Sequence, residues 1–147
     1  MRFIENRKGE NKLLSNPKHG WCTVEVGDFK GQASYLYDVP FNCLDAFINV
    51  FNKNTGVNCA SIYFDEEGSW FYLITDTDYT YIIIEREKTE VKCFDVNIIQ
   101  LANELINDLE RNFNDWVDWL CYDEPEKGRV EKLRNKIEQL KQLVEDF

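Results

Sequence analysis

The sequence predicts an α+β domain: an antiparallel sheet of about six strands, ordered as hairpin, helix and four-strand meander, packed with two C-terminal helices. Three observations carry this. Residues 57–94 read VNCASIYFDEEGSWFYLITDTDYTYIIIEREKTEVKCF, four apolar runs rich in aromatic and β-branched side chains separated by three short polar turns. Three other segments space their apolar residues three and four apart, as one face of a helix requires. The 147 residues are 44% hydrophobic and 14% aromatic, which supports one core and excludes a disordered chain.

Residues 1–20 lack periodicity and are rich in Asn, Lys and Gly. They read as an N-terminal arm, with Phe3–Ile4 or Leu13–Leu14 tucked against the domain. Trp21–Val26 and Gln32–Tyr37 alternate apolar and polar residues around a five-residue loop with two glycines, a hairpin that extends the sheet. Asp38 is placed to cap a helix with Pro40 in its first turn, and Phe41, Leu44, Phe47, Ile48 and Phe51 fall on one face. Asn54-Thr55-Gly56 ends it.

In the meander the runs are Val57–Phe64, Ser69–Thr75, Tyr79–Glu85 and Glu90–Phe94. Connections this short join antiparallel neighbours. Period-two alternation puts Ile62, Phe64, Phe71, Leu73, Ile82, Ile84, Val91 and Cys93 on one face, which must meet a helix. The other face carries Tyr63, Trp70, Tyr72, Ile74, Tyr81 and Ile83. Such amphipathic aromatics suit an interface, and the competing reading is burial under a second helix.

Asp95 opens a helix predicted to run to about Cys121, with a wide apolar stripe from Ile98 to Leu120. Trp116 follows that stripe and Trp119 lies off its centre, at the sheet edge or on an interface. Residues 122–128 break the helix. Arg129–Phe147 forms the last one, with Val130, Leu133, Ile137, Leu140, Val144 and Phe147 in a heptad seam. The seam packs in cis or pairs a homodimer through residues 129–147. The domain plan is an arm over 1–20, an α+β domain over 21–121, and a linker and amphipathic helix over 122–147.

The net charge is −10, unevenly spread. Residues 58–126 hold four Lys/Arg and seventeen Asp/Glu, or −13, while the two ends are weakly basic. Direct nucleic-acid binding needs clustered Lys and Arg and is disfavoured; a basic protein partner is favoured. No apolar run approaches a membrane span, and MRFIENRKGENKLL has no secretory apolar core, so the expected compartment is the cytoplasm. Five cysteines, none in a C-x-x-C pair, read as free and mostly buried thiols.

No phosphate loop, metalloprotease motif, serine elbow or cysteine–histidine pattern occurs. His19, the one histidine, sits beside Gly20 and reads as a surface residue; Cys43 reads as packing. Asp76-Thr77-Asp78 starts like a calcium loop, but Tyr79-Thr80-Tyr81 follows where ligands and glycine are needed. The expectation is no catalytic residue, no metal site and no cofactor.

Three segments carry a resemblance: YLYDVPFNCLDAF at 35–47, FDEEGSWFYL at 64–73 and DWVDWL at 115–120. With them, residues 21–120 resemble the small acidic immunity proteins that bacteria pair with their own toxins. The resemblance implies a non-enzymatic inhibitor of a basic partner, such as a toxin or nuclease domain. The residues themselves place partner binding on Tyr63, Asp65, Glu66, Glu67, Trp70, Tyr72, Asp76, Asp78, Tyr81 and Trp119, aromatic anchors with an acidic rim. The alternatives are an interaction protein dimerising through its last helix, and a metal-dependent enzyme using meander carboxylates.

Overall fold

The computed structural model describes residues 11–119 and 126–147. It is α+β, and among the described residues seven strands form two antiparallel sheets instead of six strands in one. The order is β1 (Leu14–Lys18), β2 (Trp21–Val26), β3 (Phe29–Ser34), α1 (Val39–Phe51), β4 (Ala60–Asp65), β5 (Trp70–Thr75), β6 (Thr80–Glu85), β7 (Thr89–Phe94), α2 (Ile98–Arg111), α3 (Phe113–Val117) and α4 (Arg129–Glu145). Strands β1-β2-β3 form the small sheet and β4-β5-β6-β7 the larger meander.

The extra strand lies inside the segment read as an arm. Leu13 and Leu14 are fully buried, as one of the two expected anchors. Their N–H groups both donate to Asp108 Oδ2 of α2, at 2.8 and 2.9 Å, which fixes where β1 starts. Pro17 and the left-handed Asn16 interrupt the alternation, and the pairing with β2 shifts between Ser15 and Lys18. Strand β3 also begins earlier than the alternation suggested, because Gly27-Asp28 alone turns the chain from Val26 to Phe29. Gly31 is therefore a strand residue. Its missing Cβ leaves room for the Phe71 ring, whose Cε1 would lie 2.7 Å from any methyl there.

The inner face of the larger sheet is Ile62, Phe64, Phe71, Leu73, Ile82 and Ile84, all buried in the one core as expected. Phe29 of the small sheet meets Phe71 edge-on at 5.0 Å. Val91 and Cys93 do not belong to this face. The turn Arg86-Glu87-Lys88 pairs Glu85 with Thr89, so Ile83 faces Val91 and Tyr81 faces Cys93. Directly opposed residues share a face, so both side chains point outward. Cys93 and Cys59 are exposed, against the expectation of mostly buried thiols; Cys22 and Cys43 are buried, and all four are free. Cys121 lies outside the described residues.

Helix α1 begins at the expected place, but Asp38 does not cap it with its side chain. The predicted helix from Asp95 is two helices. Asn97, not Asp95, caps α2 through a reciprocal box with Gln100, and the chain breaks at Asn112 before α3. Helix α4 packs on α1 and α2. Leu133, Ile137 and Leu140 of the heptad seam are buried there, so the middle of the seam serves the chain's own core, while Val130 and Phe147 at its two ends are exposed. Among the described residues no helix is long and apolar enough to cross a membrane.

Candidate functional site: the outer face of the meander

With α4 on the helices, the aromatic face of the meander is left half-buried or exposed. Cross-strand register arranges it in three rows. The first is Asp65–Trp70–Glu85–Thr89, the second Tyr63–Tyr72–Ile83–Val91, and the third Ser61–Ile74–Tyr81–Cys93. Trp70 is 41% exposed, Tyr81 38% and Val91 63%. Tyr63 and Tyr72 meet edge-on at 5.3 Å, and Tyr37 adds a third ring at 4.9 Å from Tyr63. Edge-to-face geometry holds these rings rigid relative to one another, which lowers the entropy lost when a partner covers them.

The Tyr63 hydroxyl donates to Asp65 at 3.5 Å. Burial first, and the Asp65 charge second, raise its pKa, so it stays a neutral donor. Asp65 and Glu85 flank Trp70 directly in the first row. An apolar ring between two carboxylates is a suitable contact for a cationic side chain on an apolar stem.

The other acidic residues divide by use. Glu66 accepts from Arg86 Nη2 at 2.7 Å and Nε at 3.0 Å, and from Ser69. Burial pushes the Glu66 carboxyl up, but the bonds from Arg86 and Ser69 outweigh it and leave it below its ordinary value. Glu67 accepts from the Ser34 hydroxyl at 2.6 Å, tying the β4–β5 turn to the small sheet. Asp76 Oδ1 takes the N–H groups of Asp78 and Tyr79 and so builds the β5–β6 turn. Glu66, Glu67 and Asp76 are thus occupied by the fold, and Asp65 and Glu85 are used in part: Asp65 Oδ1 takes the Glu67 N–H at 2.6 Å, and Glu85 accepts from the Thr89 hydroxyl at 2.9 Å. Asp78 is exposed, but its turn is at the sheet end opposite to Glu66 and Glu67. The expected rim is therefore two separate ends, and Asp65 and Glu85 are the carboxylates within the aromatic rows.

Trp119 does not join the face. It is 5% exposed, tilts against Trp116 at 5.3 Å, and donates its indole N–H to the Tyr37 carbonyl oxygen at 3.0 Å. Its part is to brace the segment that carries Tyr37. Tyr37, Glu85 and Val91 are the members sequence reasoning missed. The three-residue turn Arg86-Glu87-Lys88 was the signal for Val91; for Tyr37, beyond the end of its strand, alternation gave none.

His19 is exposed in the β1–β2 turn with a left-handed backbone. Cys43 is fully buried, and burial raises its thiol pKa well above the ordinary range, so it stays protonated. Among the described residues, no group of three His, Cys, Asp or Glu is placed to hold a metal ion. No protein-family model matches this chain, and no solved structure matches it.

Proposed function

We propose that this protein is a non-enzymatic binding module whose outer meander face docks a basic protein partner, in the manner of an immunity-type inhibitor of a toxin acting inside the cell. The observation that carries the reading is the set of half-buried and exposed rings of Tyr37, Tyr63, Trp70, Tyr72 and Tyr81, with Asp65 and Glu85 among them. Rigid aromatics supply affinity at an interface core, and surrounding carboxylates supply steering and choice of partner. The −13 charge of residues 58–126 adds long-range attraction for a basic surface.

A photo-crosslinking amino acid at position 70 or 81, expressed in the native cell, tests this. One discrete basic protein should be captured from those positions and not from position 103, an exposed site on α2. The same product from all three positions, an acidic product, or no product overturns the reading.

A further inference from the structure

Strand β7 ends the larger sheet, and among the described residues no strand pairs with its outer edge. It is also the most exposed strand of the meander, with Thr89, Glu90, Val91 and Cys93 all exposed. An open edge carries unpaired N–H and C=O groups that template a further strand.

We propose that this edge pairs with the same edge of a second copy, antiparallel, about a twofold axis at Val91. Symmetry restricts the choice. An antiparallel pair keeps side chains on matching faces only when some residue sits opposite its own copy. Centring on Glu90 or Lys92 sets like charges face to face. Centring on Val91 sets Glu90 against the partner's Lys92, and Lys92 against the partner's Glu90. Opposite charges directly across a ladder stabilise it, and like charges destabilise it. The same register places Thr89 against Cys93 and joins the exposed Val91 side chains at the axis. Two meanders then form one eight-stranded sheet with both aromatic faces on one side. This interface uses the backbone edge of β7; it shares Thr89, Val91 and Cys93 with the margin of the face assigned to the basic partner, but does not depend on that assignment.

Each chain carries −10, so the two copies repel at long range. Near physiological salt, where the screening length is about 8 Å, the local pairs decide the outcome. Sedimentation equilibrium at that salt provides the test, on the wild type, Glu90→Lys, Lys92→Glu and an equal mixture of the two variants. These side chains are on the surface or its margin, so the monomer should stay folded by circular dichroism. The wild type should be a dimer, and each variant alone should dissociate about tenfold more readily or worse. The mixture should recover the wild-type affinity as a heterodimer. One variant then presents only cations at positions 90 and 92 and the other only carboxylates, so every cross-strand pair is again of opposite sign. A wild type that stays monomeric to millimolar concentration overturns the proposal. A dimer indifferent to either reversal, or a mixture no tighter than its components, overturns it equally.

Discussion

At the residue scale, a few polar groups buried beside the apolar core tie distant elements to one another. Arg129 is 2% exposed. It makes paired bonds to Asp38 at 2.7 and 3.0 Å, donates to the carbonyl oxygens of Val117 and Trp116, and lies over the Phe41 ring at 4.7 Å. One guanidinium thereby joins the starts of α1 and α4 to the end of α3. Arg129→Ala leaves the Val117 carbonyl and the Asp38 carboxylate without their partner, and should lower unfolding free energy by about 3 kcal/mol in urea titration. Lys136→Ala removes only the exposed pair with Asp45, and should change stability by about 0.5 kcal/mol or less in the same assay. Gly31→Ala drives a methyl into Phe71 and Phe29 and should cost about 2 kcal/mol. None of these effects is readable from sequence. Nothing in the sequence sets Arg129 apart from the other cations of its helix, and Gly31 falls within the predicted five-residue loop.

At the scale of elements, the legible parts were those governed by local chemistry. The meander, its short turns and the α1 stripe follow from alternation, turn residues and helical spacing, and all are present. The errors arose where a distant group overrides local pattern. β1 owes its position to Asp108, more than ninety residues away in sequence, whose carboxylate takes two of its N–H groups. The break at Asn112 interrupts a stripe that runs on past it in sequence without a gap. The faces of β7 depend on the length of one turn, since a shift of one residue exchanges inside for outside. Of the expected binding residues, Tyr63, Trp70, Tyr72 and Tyr81 do share one face, because alternation is purely local. Trp119 is turned inward by the Tyr37 carbonyl, a contact no spacing rule contains.

At the scale of the whole molecule, charge and burial set how stability and binding respond to solution conditions. Glu104 is pushed up to about 7, by burial first and by the Asp108 charge second. Burial also raises Asp108, against the opposing bonds from Leu14, Arg111 and Leu13. Both folded carboxyls hold protons more tightly than in the unfolded chain, so stability is greatest below the unfolded values and falls as pH rises through the folded ones. Between about pH 4.5 and 7 the fall from Glu104 should be on the order of 2 kcal/mol, and Glu104→Gln should flatten it while raising the melting temperature at pH 8. Binding should respond to salt through association and to the rings through release. The most direct test of the proposed interface is to measure the melting temperature and partner-binding kinetics of Trp70→Ala on one preparation. Trp70 is exposed, so the melting temperature should hold, while the complex should release faster by about 2 kcal/mol or more. A marked loss of stability with unchanged binding by the folded protein would contradict the account, since Trp70 would then belong to the fold and not to the interface.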